Sequence, residues 1–404
     1  MDRDAHRRLK ILSVGNMYPP HSLGGYEVMW QSWVRHSRLQ GHDVRVLASD
    51  FAVADVSASD EPAVRRDLRW YWRDHRFPRY APWTRLAIEK HNAAIIDREL
   101  DGERPDAVVW WSMAGMSFGM VERVRRQGIP SVAVVADYWL EYCLKTDGWM
   151  RMFHGRPRLG WAIERLTGLE ASINLAETLT PVFASDTVRR SAARIFPPFA
   201  NAEVAHHEPD AELFVPAPPR PWRWKLLCLG RVVPDKGTDL PIRALTYLPE
   251  ASLDVIGAGA GSYLDDLKRL VRELGLGQRV TFGERPRAEV ASAYEDADVV
   301  IFPVRWPEPW GLVPAEAMAV GRPVVASGRG GSGEYCSDGE NCLIFDPDAG
   351  AAQLAERIQT LARDAELRAR LIDGGRETVE ALNAVSFAER VQANIHRVAA
   401  AGPS

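Results

Sequence analysis

The stretch FPVRWPEPWGLVPAEAMAVGRPVVAS, residues 302–327, decides how the chain is read. An apolar run from Val299 to Val304 leads into a Pro/Trp/Gly loop that carries Glu308. A short helix carrying Glu316 is expected next, followed by a new apolar run from Pro323 to Ala326. One carboxylate at the carboxyl end of a strand, and a second two helical turns on, can grip a polyhydroxylated ligand along its length. Carboxylates are strong acceptors for hydroxyls, and loop amides that open a helix favour anions. Taken alone, such a pair is more often two solvated surface groups. The surrounding segments therefore carry the decision.

The same alternation of apolar strand and amphipathic helix runs through most of the chain. Residues 10–16 read as a buried strand, followed by a Gly/Pro loop, a helix from about Tyr26 to Gln40 and a strand at Asp43–Ala48. Asp106–Ser112, Ser131–Ala136 and Thr178–Val182 are further short apolar runs. A Pro-rich, poorly periodic break follows at about 197–222, and the pattern then restarts with strands at Trp224–Leu229, Ser252–Ile256 and Arg279–Phe282. Helices are expected after Thr238, at Tyr263–Leu274, at Arg287–Tyr294 and through most of 350–400. Such alternation implies parallel sheets covered on both faces. The expected domains are 1–200, a linker at 201–222, and 223–384, with 385–404 a helix returning to the first domain. Two doubly wound α/β domains facing each other across a cleft is the architecture this predicts, with ligands beyond the carboxyl ends of the strands.

The bulk numbers agree and exclude other classes. A chain of 404 residues is longer than one core usually supports. No apolar run approaches the roughly 20 residues of a membrane span. The opening MDRDAHRRLKILSVG does not resemble a secretory signal. Cys143, Cys228, Cys336 and Cys342 form no CxxC pair, and reduced thiols in a cytoplasmic protein are expected. The net charge of −4 divides into 28 basic and 24 acidic groups before residue 201 and 22 and 30 after it. That asymmetry suits two different surfaces and is too weak for nucleic-acid binding. The ten histidines show no metal-ligand spacing, and no nucleophile elbow of a serine hydrolase is present.

Three more segments bear chemistry. LGRVVPDKGTDL (229–240) places Arg231 and Lys236 on a loop after a strand, a planar fork and a compact charge suited to a diphosphate, or else a solvated basic turn. YPPHSLGGYEVMW (18–30) sets Gly24 and Gly25 before a helix, where backbone amides can approach a phosphate closely, or where the chain simply turns. Gly257, Gly259 and Gly261 follow a GxGxG spacing, so the full GxGxxG dinucleotide fingerprint is absent. SGRGGSGEYCSDGENCLIFDP (327–347) offers Gly330, Gly331 and Glu334, read either as backbone contact to a ligand or as ordinary loops.

Together these segments resemble the retaining nucleotide-sugar glycosyltransferases of family 4, which have the two-domain GT-B fold. The resemblance rests on the E-x7-E pair (Glu308, Glu316), the GR-x4-KG loop (Gly230, Arg231, Lys236, Gly237), the GG-x-E entry (Gly24, Gly25, Glu27) and the GG-x2-E loop (Gly330, Gly331, Glu334). It is strongest from Gly230 to Pro347 and thinner between about 51 and 130. It implies that Arg231 and Lys236 bind the donor diphosphate, that Glu316 holds the ribose and that Glu308 contacts the donor hexose. The amides of Trp310, Gly311 and Leu312 would line the sugar and phosphate, and Gly25, after Gly24, would approach the diphosphate from the other domain. It further implies front-side transfer with retention, a nucleotide sugar as co-substrate, and neither metal nor resident cofactor. The acceptor would be a glycan, a lipid-linked glycan or a small metabolite. A non-catalytic nucleotide-sugar-binding subunit and a same-fold epimerase are the alternatives.

One position departs from the family pattern. After the strand VAVV the family commonly shows His-Asp, whereas this chain has Ala136 and then Asp137. Asp137 is expected to carry part of the missing histidine's role, or to be a plain loop residue. RRDLRWYWRDHRFPRYAPW (65–83) is dense in Arg and aromatics. It reads either as an acceptor or membrane-surface contact, which would place the protein peripherally at the inner face of a membrane, or as ordinary packing. Trp30, Trp33, Trp110 and Trp111 sit in helix or strand patterns and are expected in the core.

Overall fold

The computed structural model describes residues 7–21, 24–53, 56, 63–73, 76–259 and 261–402. The charged opening at residues 1–6, Asp74 and His75 of the aromatic segment, and Ala260 of the glycine run lie outside the described residues. The chain forms two compact units, one of 1–205 with 387–404 and one of 206–386.

The first unit begins β1 (Lys10–Val14), α1 (Gly25–Leu39), β2 (Asp43–Ser49), β3 (Val64–Leu68) and α2 (Pro82–Asp101). β4 (Ala107–Trp110), α3 (Gly119–Arg126), β5 (Ser131–Val135), α4 (Trp139–Thr146) and α5 (Pro157–Thr167) follow. α6 (Leu175–Thr178), β6 (Thr180–Phe183), α7 (Asp186–Ile195) and β7 (Glu203–Val204) complete the run. The sheet order is β3-β2-β1-β4-β5-β6-β7, and every paired strand is parallel.

The second unit runs β8 (Lys225–Leu229), α8 (Asp239–Ala244), β9 (Ser252–Ile256), α9 (Ser262–Glu273) and β10 (Val280–Gly283). It continues through α10 (Val290–Asp296), β11 (Val299–Phe302), α11 (Leu312–Val320), β12 (Val324–Ala326) and β13 (Leu343–Ile344). α12 (Ala351–Arg363) and α13 (Ala365–Asn383) close it, while α14 (Phe387–Ala401) belongs to the first unit. Its order is β10-β9-β8-β11-β12-β13, again parallel. In both sheets the order reverses beside the first strand, between β1 and β4 and between β8 and β11. Those switch points leave a crevice at the carboxyl ends of the strands.

The continuous apolar runs follow from burial on both faces. In β5, Ala133 and Val135 enter one core layer, and Val132 and Val134 enter the opposite one. In β11, Val299 and Ile301 face one layer, and Val300 and Phe302 the other. Trp30, Trp33, Trp110 and Trp111 are all core residues. The indoles of Trp30 and Trp111 stack at 5.8 Å, and both donate to Ser13 Oγ, at 2.7 and 3.1 Å. α14 covers this layer with Phe387, Val391 and Ile395, and Ser37 Oγ donates to Gln392 Oε1 at 2.8 Å.

Two segments take up detail that their sequence pattern leaves open. The Pro-rich 201–222 stretch is laid down on the units themselves. Glu203–Val204 pairs with β6, whereas Phe214 is buried in the second unit and Arg220 holds Asp298 at 3.3 Å and the Glu295 carbonyl at 2.7 Å. Isolated anchors of this kind leave no periodicity to read. The aromatic segment 65–83 starts as β3, and its Trp70 and Tyr71 are buried, which leaves Phe77 and Trp83 as its exposed large hydrophobics.

Tyr71 ends in a buried acidic cluster. Its hydroxyl donates to Glu89 Oε1 at 2.6 Å, and Ser117 Oγ donates to Glu89 Oε2. Burial, reinforced by the charge of Asp147, pushes the Glu89 carboxyl up from 4.5 to about 8. The folded state therefore keeps a proton that the unfolded chain releases above pH 4.5. This carboxyl's contribution falls as pH rises from about 4.5 to 8, by a few kcal/mol in all. Thermal melts at pH 5 and pH 8 should show Glu89→Gln with a flatter pH dependence than the parent. An unchanged slope would place the titration elsewhere. Among the described residues, no helix is long and apolar enough to cross a membrane.

Candidate functional site

β8 and β11 are hydrogen-bonded neighbours at the second switch point, and each delivers one loop of candidate residues. After β8 comes Gly230, then exposed Arg231, then a single 3-10 turn at Pro234–Lys236. Gly237 ends that turn at φ 68°, and a Cβ there would collide with the Pro303 carbonyl. The glycine thus lets the β8 loop lie against the loop after β11. Arg305 locks the two together: its guanidinium grips Asp239 at 2.5 and 2.9 Å, and its amide donates to the Asp235 carbonyl at 2.9 Å.

Within this frame Lys236 Nζ donates to Glu308 Oε2 at 2.6 Å, with both side chains mostly buried. Trp306 Nε1 donates to the same oxygen at 2.7 Å, and its ring lies 5.8 Å from the ammonium. Arg231 makes no side-chain hydrogen bond or ion pair among the described residues and is open to solvent. A mostly buried cation–carboxylate pair thus sits beside an uncommitted guanidinium, at the carboxyl ends of adjacent strands.

The Glu308 loop is held from behind by Gly330 and Gly331. Glu308 forms a parallel bridge with Gly330, and the Gly331 amide donates to the Glu308 carbonyl at 2.6 Å. A Cβ on Gly330 would fall inside contact distance of the Glu308 amide and carbonyl, and one on Gly331 would strike the Pro309 carbonyl. This glycine pair packs loop closely on loop.

Gly311 (φ 84°) caps α11, whose first-turn amides at Leu312 and Val313 have no acceptor within the helix. The Trp310 side chain is buried between His206, stacked at 4.5 Å, and Tyr335, at 4.9 Å, and its Nε1 donates to the His207 carbonyl at 2.8 Å. Glu316 is only 2% exposed. Arg287 Nη1 reaches its Oε1 at 2.9 Å, and Tyr294 OH donates to its Oε2 at 2.5 Å. Burial and then the Glu316 charge hold the Tyr294 hydroxyl well above its usual range, so it remains a donor. Glu316 is therefore preoriented by two side chains rather than solvated.

The remaining candidates gather in the first unit. Gly24 caps α1, and its amide donates to Glu27 Oε2 at 2.8 Å. Gly25 is exposed, and beyond its chain neighbours and its own helix backbone nothing among the described residues lies within 4 Å of where a Cβ would stand. Asp137 follows β5, and its Oδ1 accepts from the Trp139 amide at 2.8 Å to open α4. Tyr26 joins the two segments: its hydroxyl donates to the Val134 carbonyl and accepts from Trp139 Nε1 at 3.3 Å. Burial, followed by the Asp137 charge, raises this hydroxyl well above its usual range.

The sequence reading did not single out Trp306, Arg305, Asp239, Arg287 or Tyr294. Trp306 lies in the quoted stretch two residues before Glu308, so its place in the loop was a usable signal. Arg287 and Tyr294 reach Glu316 from another element, α10 and the turn before it, and no local spacing announces that.

Comparison with known proteins fits this geometry. Residues 213–378 match the family described as glycosyl transferases group 1. A GDP-mannose-dependent alpha-(1-6)-phosphatidylinositol monomannoside mannosyltransferase from Mycolicibacterium smegmatis is 28% identical over 83% of this chain and 85% of its own length. A D-inositol 3-phosphate glycosyltransferase from Mycobacterium leprae is 35% identical over 42% of this chain and 43% of its own. The fold is that of a sucrose-phosphate synthase from Thermosynechococcus elongatus, with a TM-score of 0.70 at 20% identity over 97% of this chain and 100% of that one. The chain is a glycosyltransferase of the GT-B fold, and its second unit carries a glycosyl transferases group 1 domain.

Proposed function

We propose that this protein is a retaining, metal-independent glycosyltransferase that moves a hexose from a nucleotide-diphosphate sugar to a hydroxyl acceptor. The observation that carries the reading is the Lys236–Glu308 pair beside open Arg231 at the β8/β11 switch point. In transfer, the bond from the anomeric carbon to the diphosphate oxygen breaks and a bond to the acceptor oxygen forms. The acceptor proton passes to the departing phosphate. Negative charge grows on the diphosphate, and Lys236, Arg231 and the α11 amides stabilise it without having to reorganise. Glu308, fixed by Lys236 and Trp306, accepts hexose hydroxyls, and Glu316, fixed by Arg287 and Tyr294, accepts those of the ribose. A carboxylate has about four lone-pair sites, so each can keep its protein donors and still take a ligand hydroxyl.

Asp137 and Gly25 complete the reading from the first unit, Asp137 as a sugar contact in place of the absent histidine and Gly25 as the amide facing phosphate. The mannosyltransferase relative makes GDP-mannose the first donor to try and a lipid-borne inositol glycan the first acceptor. The test is calorimetry with GDP, UDP, ADP and TDP, followed by turnover of the matching sugar nucleotides with and without EDTA. Binding of one nucleotide and an EDTA-insensitive rate are expected. Absence of binding and turnover across the whole panel would remove the reading, and binding without turnover would turn it into that of a nucleotide-sugar-binding subunit.

A further inference from the structure

The connection from β5 to β6 begins at Ala136 and Asp137 and carries α4, α5 and α6. Of its three helices α5, of 11 residues, is the most open, burying only Gly160, whose neighbours are Phe153 and Ala171. Its outward face presents Leu159 (45% exposed), Trp161 (61%) and Leu166 (81%). Arg158 and Arg165 are exposed between them. At about 100° per residue, Trp161, Arg165, Arg158, Ala162, Leu166 and Leu159 follow one another around a single arc.

The helix's one acid, Glu164, lies off that arc. Its Oε1 takes Arg126 at 3.2 Å and the Ala171 amide at 2.8 Å. Arg165 covers the Trp161 ring at 5.1 Å, and Arg151, His154 and Arg156, just upstream, are exposed as well. A surface helix normally turns its charged face outward and its apolar face to the core. This one turns out tryptophan and leucines mixed with arginines, and no acid.

That mixture matches a bilayer interface. Apolar chains enter the headgroup boundary, tryptophan settles at headgroup level, and arginines reach lipid phosphates along their methylene stems. We propose that α5, with the basic residues from Arg151 to Arg158, is a docking face for an anionic lipid bilayer. Charge complementarity selects this occupant: the exposed arc of α5 offers Arg158 and Arg165 to anionic headgroups and no carboxylate to a basic partner, and exposed Arg151 and Arg156 lie just upstream of it. Docked there, the connection that starts at Asp137 would bring a lipid-borne acceptor towards the strand ends of the first unit. The docking itself does not depend on the glycosyl-transfer reading.

The experiment is sedimentation of the full chain with vesicles of phosphatidylglycerol and phosphatidylcholine in equal parts, against phosphatidylcholine alone. Binding to the mixed vesicles only, weakening with added salt, is the expected result. Arg158→Glu with Arg165→Glu, and separately Trp161→Ala with Leu166→Ala, should each lower affinity about tenfold or more. Melting temperature and nucleotide binding should stay at parental values, because these side chains are exposed on α5 and none of them is a donor-site residue. Failure to bind either vesicle, or variants that bind as the parent does, would overturn the proposal. So would a dimer in light scattering that Trp161→Ala with Leu166→Ala makes monomeric while vesicle binding is unaffected.

Discussion

Lys236→Ala is expected to lower kcat by about 10²–10³-fold, measured with whichever sugar nucleotide the parent turns over. The ammonium is placed before the reaction begins, 2.6 Å from Glu308 and against Trp306, so its charge meets the developing diphosphate anion at no cost in reorganisation. The substitution also leaves a mostly buried Glu308 with Trp306 Nε1 as its remaining side-chain donor among the described residues, an effect of about 1–3 kcal/mol on stability. Arg231→Ala separates the two consequences. That guanidinium is exposed and makes no side-chain hydrogen bond among the described residues, so its loss should leave the melting temperature almost unchanged. Its kcat/KM should nevertheless fall by more than tenfold, because a donor contact rather than a packing contact is lost. If Arg231→Ala keeps parental kinetics while Lys236→Ala is merely unstable, the diphosphate is not bound at the β8/β11 switch point.

The sheets were legible because burial on both faces writes a strand as a continuous apolar run, as in Ser131–Val135 and the run from Val299. β3 was not, because Val64–Leu68 is a polar edge strand whose Arg65 and Asp67 bond to each other and to Glu99 and Arg98 of α2. The Pro-rich approach to the second unit was not either, since single anchors such as Phe214 and Arg220 fix it. At the site, residue types at strand ends singled out Arg231, Lys236 and Glu308, which lie on the loops after β8 and β11. What those residues touch was out of reach. The grip of Arg287 and Tyr294 on Glu316 comes from an element more than twenty residues upstream. The two glycine pairs also looked alike on paper, and space separates them: Gly330 is hemmed in by backbone, whereas Gly25 stands in the open.

That difference gives the second large effect. Gly330→Ala must place a methyl against the Glu308 amide and carbonyl at a backbone φ of 74°, where side chains are strained regardless of room. The left-handed backbone costs about 1 kcal/mol and the overpacking about 1–3 more, so a loss of roughly 2–4 kcal/mol is expected by chemical denaturation. The nearest atoms belong to the Glu308 loop, so the residual folded protein should also lose nucleotide-sugar turnover. Gly25→Ala sets the contrast, since at the first turn of α1 its methyl would meet no described residue beyond its chain neighbours and its own helix backbone. Stability should change by no more than about 0.5 kcal/mol, because nothing is displaced. Turnover should still fall, because a methyl there keeps a phosphate from the helix's first amides. A stable Gly25→Ala variant with parental kinetics would mean that the opening of α1 is only a turn. A Gly330→Ala variant as stable as the parent would mean that the Glu308 loop does not depend on the glycine behind it, and that Glu308 is held by Lys236 and Trp306 alone.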